Sequence, residues 1–490
     1  MSGAGSLAGL DPGLVWVRFA ELTRIARPSK EEEAVRSHIL AWAAARSLDT
    51  SVDNEGNVVV RAPASPGREA SPTVVLQSHL DMVCERDLGS PNDPREGRIS
   101  VVVDGDWVLA EGTTLGADNG IGVAAAMAVT DDPAIARGPL ELLFTVSEEK
   151  GLDGAKALDP ALVAGRLLIN LDGTSDGALT VGCAGSAHSF VRVRLERESR
   201  ANHVVLDIGL SGAKGGHSGG DIASGRVNAV KALGRVLARG FEQEPFRLAR
   251  FAGGVSRNAI PREARAVVSL EPEAEPAFRA AAEQELAAIC EQYAGFDDAL
   301  TLSVERASET DVATEAATAR LLDLVATIPT GVVAMTPELP GTVETSTSLT
   351  VATTDGDTVT LASMTRSSNA QALEDVVATI SSAARLAGAQ VEVVRSYPPW
   401  RPVLESRLLA TSRAAFERLF GTEPELAVVH GGLECAVIGG KLPGVEMISI
   451  GPEIVGLHAP GERLRISSTQ RFYRLLGALL DDLSRQTGIR

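Results

Sequence analysis

The sequence has few cysteines, and they are scattered. Its 490 residues include four, Cys84, Cys183, Cys290 and Cys435, and no two of them form a CxxC pair. A disulfide framework and a cysteine-based structural zinc site are therefore not expected. The simplest interpretation is reduced thiols in a cytoplasmic protein.

Long apolar runs and an excess of basic residues are also missing. No apolar run approaches the ~18 residues of a membrane span, and "MSGAGSLAGLDPGLVWVRFAEL" lacks the basic start and apolar core of a signal peptide. Lys and Arg number 46 against 64 Asp and Glu, a net charge of −18. This charge argues against nucleic acid or an anionic membrane as a partner, and we expect most of the excess acid simply to favour solubility.

The chain is too long for one hydrophobic core, so two or three structural units are expected. Short apolar runs such as "TVVLQ", "LELLFTV" and "RLLINL", with a helix-like segment between them, predict a mostly parallel sheet flanked by helices. From "HSFVRVRLERE" onward, polar and apolar residues alternate, which is typical of antiparallel strands with one solvated face. We predict a discontinuous α/β domain over 1–186 and 396–490, with an α+β domain inserted at 187–395.

One N-terminal helix has a capping signal. In "RPSKEEEAVRSHILAWAAA", Ser29 is followed three residues later by Glu32, which is the spacing of a capping box. We therefore expect Ser29 to be the N-cap of this helix.

Candidate metal ligands follow the apolar runs. "VVLQSHLD", "LLFTVSEE" and "LLINLD" end in His79, Glu149 and Asp172, and ligands bind beyond the carboxyl ends of parallel strands. Asp118 in "GADNG" lies at an expected helix start, and His458 in "GLHAPG" follows a late strand. Two histidines and three carboxylates suit zinc, manganese or cobalt, and they suffice for two metals that share one carboxylate and carry out hydrolysis.

Each motif by itself has a simpler interpretation. A histidine at a strand end is usually structural, "SEE" is usually a solvated loop, and Asp-Gly and Asn-Gly are usually turns. The placement of all of these motifs after consecutive buried strands favours the metal centre.

The sequence resembles the zinc-dependent M20 peptidases over nearly its whole length, and within them the aminoacyl-histidine dipeptidases (the Xaa-His or beta-alanyl-histidine dipeptidase branch). The segments that carry the resemblance are "QSHLDMVCE", "TTLGADNGIGVA", "SEEKGLDGA", "LINLDGTSDGALTVGCAG", "GLSGAKGGHSGGDI", "GGVSRNAIPREA", "VVHGGLECAV" and "ISIGPEIVGLHAPGERL". It implies a metallo-dipeptidase that hydrolyses Xaa-His-like dipeptides with two Zn²⁺ per subunit, for which Mn²⁺ or Co²⁺ can substitute.

The resemblance also implies roles for the residues of the metal centre. His79 and His458 each bind one zinc, Asp118 bridges both, and Glu149 and Asp172 complete the two coordination shells. It further implies that Asp81 orients the His79 ring, that Glu148 is the general base, and that the peptide bond between Asp118 and Asn119 is cis.

In the inserted segment, the resemblance implies the lid domain of this family. His217 in "GGHSGG" would stabilise the oxyanion, the simpler alternative being a Gly-rich turn. Asn258 and Arg366 would grip the substrate, Arg366 through its C-terminal carboxylate, and Glu434 would contact its amine. Surface polarity is the alternative for Asn258 and Arg366, and we interpret His188 and His430 as structural. The resemblance also allows a homodimer through the lid domain.

Three positions depart from the family pattern: Ser78 replaces a glycine, Ser147 a common acidic residue, and Ser348 an expected asparagine. None of the three is a metal ligand, so they concern the substrate rather than the chemistry. Two other functions stay open. One is an M20 amidohydrolase that acts on N-acyl amino acids, and the other is an inactive member kept as a scaffold or metal-binding protein. The sequence leaves undecided the preferred N-terminal residue of the dipeptide, the need for a C-terminal His, the physiological metal, the oligomeric state and the subunit in which His217 acts.

Overall fold

A computed structural model of the chain describes residues 7–200 and 203–486. The first six residues lie outside the described residues. They are part of the N-terminal segment from which no signal peptide was expected. Within the described residues, no helix combines the length and apolarity needed to cross a membrane. Within the part of the chain that the structure describes, the cysteines form no disulfide.

The chain divides into two compact units. The first runs up to Gly182 and includes Trp400–Val429 and the chain from Leu433 onward, and the second comprises Cys183–Pro399 and His430–Gly432. The sequence placed the corresponding boundaries after residues 186 and 395. No sequence pattern indicated that three residues near 430 belong to the second unit.

The first unit is built on an eight-stranded sheet flanked by helices. In spatial order its strands are Asp49–Val52, Val58–Ala62, Leu140–Thr145, Val74–His79, Leu167–Asn170, Glu446–Ser449, Ala178–Cys183 and Glu425–Val429. Its α-helices are Gly13–Leu22, Glu33–Ala44, Ala117–Asp131, Asp153–Ala157, Arg407–Phe420, Glu434–Lys441 and Ile466–Ser484. A small four-stranded sheet contains, in spatial order, the strands Ile454–Val455, Arg463–Arg465, Trp107–Ala110 and Val101–Asp104.

Parallel pairing occurs at the centre of the eight-stranded sheet. The strand Val74–His79 is parallel to both of its neighbours, and Leu167–Asn170 is parallel to Glu446–Ser449. Further out, Val58–Ala62 and Ala178–Cys183 pair antiparallel. The predicted α/β class is confirmed, with parallel pairing among the four central strands. Three of these strands, Val74–His79, Leu140–Thr145 and Leu167–Asn170, are wholly buried, which explains their largely apolar sequences.

The second unit contains a nine-stranded antiparallel sheet. In spatial order the strands are Thr301–Arg306, Val204–Ser211, Ala264–Leu270, Arg247–Gly253, Val343–Asp355, Thr358–Ser367, Gly185–Arg194 and Gln390–Tyr397, with Gly331–Met335 also paired to Val343–Asp355. Two short ladders pair Arg197–Ser199 with Asp311–Ala313 and Gly216–His217 with Ala259–Ile260. The α-helices are Ala229–Gln243, Glu275–Gln292, Glu315–Thr327 and Ala370–Leu386.

Alternation of apolar and polar residues sets which face of the second sheet is buried. In Gly185–Arg194, Val191 and Val193 are buried while Arg192 and Arg194 are exposed. The buried face packs with helix residues such as Leu233 into one apolar cluster. The expected antiparallel sheet with one solvated face is present here.

The predicted capping box at Ser29 is wrong. The helix begins at Glu33, and Glu32 occupies the N-cap position without a side-chain cap. The Ser29 hydroxyl donates instead to Oδ2 of Asp81, at 2.7 Å. A tertiary contact with a buried carboxylate has replaced the local one that the spacing suggested.

Candidate metal centre and substrate-binding residues

Three neighbouring parallel strands deliver three of the predicted ligands to the same edge of the first sheet. The strand that ends at His79 lies between Leu140–Thr145 and Leu167–Asn170, and the three strands start in register. Glu149 and Asp172 follow the ends of the two outer strands. The strand ends are thus level, which brings the three side chains together.

Asp118 lies in a sharp turn that opens the helix Ala117–Asp131. Gly116, at φ 69°, has the left-handed conformation that favours glycine. The peptide bond between Asp118 and Asn119 is cis, as the resemblance implied, and neither residue has helical dihedral angles. The carboxylate of Asp118 therefore projects from the turn rather than from a regular helix.

His458 comes from a loop of the first unit, between the strands Ile454–Val455 and Arg463–Arg465. Its φ is 62°, which is unusual for a residue with a side chain, and half of its side-chain surface is exposed. The four other predicted ligands are at most 14% exposed, and His79 is 1% exposed. His458 is therefore the solvent-facing member of the cluster.

The five predicted ligands form two triads that share Asp118. Nε2 of His79 lies 3.0 Å from Oδ1 of Asp118 and 3.4 Å from Oδ1 of Asp172. Nε2 of His458 lies 3.3 Å from Oδ2 of Asp118 and 3.2 Å from Oε2 of Glu149. Two ligand atoms about 2.0–2.1 Å from one tetrahedral zinc are separated by about 3.3 Å, so these distances fit ligands of a common ion.

These groups shift one another's pKa strongly. Hydrogen bonds to Asp118 and Glu149 raise the pKa of His458 to about 10. Burial opposes ionisation of Asp118, yet His458 and His79 lower its pKa below the ordinary value. Burial and the charge of Asp118 raise the pKa of Asp172 to about 7. Oε1 of Glu149 is buried without a hydrogen-bond partner. This set of nitrogen and oxygen donors fits zinc, manganese or cobalt.

Asp81 links the strand end of His79 to the loop of the two glutamates. Its carboxylate accepts from the backbone N–H of Glu148 at 3.0 Å and of Glu149 at 3.2 Å. Nδ1 of His79 is 3.1 Å from the backbone oxygen of Asp81 and 3.4 Å from its Oδ1. Asp81 can therefore orient the imidazole and fix the glutamate loop at the same time.

Glu148 lies in the same cluster as His79 and Glu149, with ligand atoms within 4.8 Å of one another. Burial is the main reason why its pKa is raised well above the ordinary value. His79 opposes this shift, and the negative charges of Asp172, Glu434 and Glu149 add to it. A carboxyl group in such surroundings is suited to accept and return a proton near neutral pH.

Ser147, which departs from the family pattern, is held by a carboxylate from elsewhere in the chain. Oε1 of Glu32 accepts from the N–H of Ser147 at 2.8 Å and from its hydroxyl at 3.1 Å. Glu32 is buried and comes from the start of the second helix. An acidic group therefore still lies beside this turn, although the sequence position is a serine.

Glu434 is completely buried in the first unit, at the start of the helix Glu434–Lys441. Its Oε2 accepts from Nε2 of Gln77 at 2.5 Å and from the hydroxyl of Thr145 at 2.6 Å. Oε1 has no hydrogen-bond partner, and burial raises the pKa of the carboxyl group to about 7. Gln77 and Thr145 belong to the strands that precede candidate ligands, so Glu434 lies next to the candidate metal ligands.

In the second unit, His217 lies on a short strand, and Asn258 directly precedes the strand Ala259–Ile260 that pairs with it. His217 pairs with Ala259, and the N–H of Ser218 donates to the backbone oxygen of Asn258 at 2.7 Å. The N–H of Gly220 donates to Nδ1 of His217 at 3.0 Å. Nδ1 is thus an acceptor, so the neutral ring carries its proton on Nε2 and can donate from there.

Arg366 is 3% exposed in the second unit and has no ion-pair partner among the described residues. Its Nη1 donates to the hydroxyl of Tyr397 at 3.3 Å, and its Nε is buried without a partner. Burial, and then the positive charge of Arg366, lower the pKa of His217. A buried guanidinium in this state is suited to bind an anion.

His430, which the sequence analysis left as structural, belongs to the same group in the second unit. Nε2 of His430 lies 2.7 Å from the Ser346 hydroxyl, and its Nδ1 is buried without a partner. Burial, followed by Arg366 and His217, lowers the pKa of His430 to about 4. Burial, followed by the positive charges of Arg257 and Arg366, lowers the pKa of His188. The sequence signal that could have indicated a place for His430 beside Arg366 and His217 is its position in "VVHGGLECAV", directly before the two glycines.

Comparison with known proteins agrees with this fold. The model of peptidase family M20/M25/M40 matches residues 75–482. The chain is 36% identical over 480 residues to the cytosol non-specific dipeptidase of Escherichia coli K12, covering 97% of this chain and 99% of that protein. The chain belongs to peptidase family M20/M25/M40 and is therefore a hydrolase of peptide bonds.

Solved structures resemble it as well. The aminoacylhistidine dipeptidase of Vibrio alginolyticus superimposes with a TM-score of 0.91 at 36% identity, over 97% of each chain. The aminopeptidase PepT of Bacillus cereus matches 97% of this chain and all of its own with a TM-score of 0.59, but at 17% identity it shares the fold alone. The resemblance predicted from the sequence motifs is confirmed.

Proposed function

We propose that this protein is a metal-dependent dipeptidase of the M20 family that hydrolyses Xaa-His-like dipeptides. The observation that carries the proposal is the pair of imidazole Nε2 atoms, from His79 and His458, on the two carboxylate oxygens of Asp118. The similar proteins named above are a non-specific dipeptidase and an aminoacylhistidine dipeptidase. Each of these two proteins is similar to this chain over nearly its whole length, which supports the same activity here.

The proposed cofactor is two Zn²⁺ per subunit, with Mn²⁺ or Co²⁺ able to substitute. His79, Asp118 and Asp172 would hold one ion, and His458, Asp118 and Glu149 the other. When bound, such a pair of ions polarises the scissile carbonyl and lowers the pKa of the attacking water. The buried, unpartnered Oε1 of Glu149 and the two triads support this assignment.

Glu148 is the proposed general base. It takes a proton from the attacking water and returns it to the leaving amine, for which its raised pKa is suited. Asp81 holds this residue's backbone N–H and the imidazole of His79, so both keep their orientation during the proton transfer.

Three residues of the second unit, which we assign as the family's lid domain, are proposed to bind substrate. His217 donates from Nε2 to the oxyanion, a role that its acceptor contact with Gly220 supports. Arg366 binds the C-terminal carboxylate, since its guanidinium is buried and no carboxylate of the described residues pairs with it, and Asn258 adds a polar contact.

Glu434 is proposed to bind the free amine of the dipeptide through its unpartnered Oε1. This role would distinguish a dipeptidase from an amidohydrolase of N-acyl amino acids, whose substrates lack that amine. A site that is built to bind an N–H group rejects analogues without it strongly, because its buried polar atom is then left unpaired.

A substrate comparison tests this function. Purified protein, freed of metal and reloaded with Zn²⁺, Mn²⁺ or Co²⁺, is assayed on alanyl-histidine and β-alanyl-histidine and on N-acetyl-histidine. We expect at least about 100-fold higher kcat/KM for the dipeptides. Glu434→Gln should lose much of this preference, whereas Glu141→Gln, a change at another buried carboxylate of the first unit, should keep it. Preferred cleavage of N-acetyl-histidine would instead support the amidohydrolase.

The proposed location is the cytosol, and the proposed assembly is a homodimer through the lid domain. Mixing an inactive Glu148→Gln protein with an inactive His217→Ala protein tests the assembly. Recovered activity would show that His217 acts on the partner's substrate, and no recovery that it acts within its own chain.

A further inference from the structure

One buried carboxylate outside the two triads holds the turn that carries Asp118. Glu462 is 2% exposed. Its Oε2 accepts from the backbone N–H of Leu115 at 2.8 Å and of Gly116 at 2.9 Å. Its Oε1 accepts from Ala117 at 2.8 Å and from Asp118 itself at 3.2 Å. Four consecutive N–H groups thus converge on one side chain.

A buried guanidinium holds the same turn through its carbonyl oxygen. Arg27 is 1% exposed and donates from Nη2 to the backbone oxygen of Gly116 at 2.5 Å. Its Nη1 donates to the backbone oxygens of Leu80 and Asp81, both at 3.0 Å. The backbone of Gly116 therefore links Glu462 to Arg27. Arg27 in turn links this turn to Leu80 and Asp81, the two residues that follow His79.

Glu462 and Arg27 each connect the Asp118 turn to the segment of one of the two candidate histidine ligands. Glu462 belongs to the loop of His458, where its N–H donates to the oxygen of Ala459 at 3.1 Å. Glu462 therefore joins the loop of one imidazole to the turn of Asp118. Arg27 joins that same turn to the strand end of the other imidazole, His79.

We propose that Glu462 and Arg27 are positioning residues that set Asp118 between His79 and His458, so that both metal triads form together. This inference rests on the proposed dinuclear function. Glu462 should matter most for the triad of His458 and Glu149, because the His458 side chain is half-exposed and Glu462 joins its loop to the Asp118 turn. The triad of His79 is also held by the buried strand ends.

Cobalt binding tests the proposal, with Co²⁺ alone as the probe and the full chain as the protein. Glu462→Gln keeps the size of the side chain but leaves one acceptor oxygen, and its NH₂ group faces N–H donors. We expect the first equivalent of Co²⁺ to bind as in the unmodified protein, and the second to bind about 10–100-fold more weakly. The visible absorption spectrum of the second cobalt ion should change.

Glu141→Gln is the matched control. Glu141 is also a buried carboxylate of the first sheet, 4% exposed, and it accepts from the backbone N–H of Ala164 and Gly165. It lies near the start of the strand Leu140–Thr145, whereas the ligands follow the strand ends. Glu141→Gln should lower the thermal stability but leave both cobalt affinities and the spectrum unchanged.

Arg27→Lys is the second variant, since it keeps the charge but not the fork that reaches three carbonyl oxygens. It should also weaken cobalt binding. The proposal is overturned if Glu462→Gln binds two equivalents with unchanged affinities and spectrum, if Glu141→Gln shows the same loss, or if neither Glu462→Gln nor Arg27→Lys folds. A failure of the proposed function itself would look different, because the unmodified protein would then not bind two equivalents.

Discussion

At the scale of single residues, Glu148 and Glu149 show how neighbours in sequence acquire different tasks. Glu149 reaches Nε2 of His458 at 3.2 Å and completes a triad. Glu148 has a raised pKa because it is buried near other carboxylates. Asp81 accepts from the N–H of both residues, so one carboxylate positions the proposed base and the proposed ligand together.

Substitution of each glutamate by glutamine should separate these tasks. Glu148→Gln cannot accept the proton, so we expect metal content to persist while kcat falls by about 10²–10⁴-fold. Glu149→Gln should lose metal instead. Metal analysis beside steady-state kinetics checks both results. Equal metal loss in the two variants, with residual activity in both, would contradict the assignment.

Proton release is expected when the metals bind. The pKa of His458 is raised to about 10 by Asp118 and Glu149, so near pH 7 the metal-free imidazole is protonated. A metal needs the unprotonated nitrogen and must displace this proton, so metal affinity should fall as the pH is lowered. Calorimetric titrations in buffers of different ionisation enthalpy should show release of at least about one proton. Heats that do not depend on the buffer would contradict this.

At the scale of elements, the loop of His217 is anchored at both ends by one buried carboxylate. Asp297 accepts from the N–H of Lys214 and of Val227, both at 2.7 Å. Between these anchors, Gly216 has φ 136°, and a Cβ there would lie 2.2 Å from Nη1 of Arg226. Gly216 of "GGHSGG" thus adopts a conformation that favours glycine in the turn that presents His217.

Removal of the His217 ring should reduce catalysis without affecting the metals. We expect His217→Ala to fold and bind metal normally but to lose about 10²–10³-fold in kcat, the usual effect of losing one oxyanion donor. His203→Ala is the control, because His203 lies in the same unit and contacts Glu271. Near-normal turnover in His217→Ala would show that the histidine serves only the turn.

At the scale of the whole molecule, the first unit gathers many acidic groups around the proposed metals. Asp118, Asp172, Glu149, Glu148 and Glu434 all lie in or next to one cluster. Cations that bind only the folded chain stabilise it by mass action, about 4 kcal/mol at a free concentration of 1,000 times Kd.

Metal removal should therefore lower the thermal unfolding temperature as well as abolish activity. Dialysis against a chelator, followed by scanning calorimetry, measures the first effect, and added Zn²⁺, Mn²⁺ or Co²⁺ should reverse both. Glu149→Gln, with one ligand replaced, should respond less to the chelator. Full turnover of a protein that contains no metal would refute the metal-dependent mechanism.

Much of this molecule could be predicted from sequence, because the informative signals are local. Continuous apolar runs indicated the buried central strands, and alternation in "HSFVRVRLERE" indicated the half-solvated second sheet. His79, Glu149 and Asp172 follow strand ends, and parallel strands present their ends at one edge. Asp118 was indicated by an expected helix start and His458 by a late strand, and the resemblance then supplied the roles of the set.

Tertiary structure decided how groups distant in sequence were used. Ser29 had the spacing of a helix cap, but its hydroxyl donates to Asp81. The carboxylate of Glu32 accepts from the N–H of Ser147. Glu462 collects four N–H groups from a turn more than 340 residues earlier. A local pattern records only what neighbouring residues can do for one another. Which buried carboxylate meets which unsatisfied N–H is settled by packing, because each such group needs a partner once water is excluded.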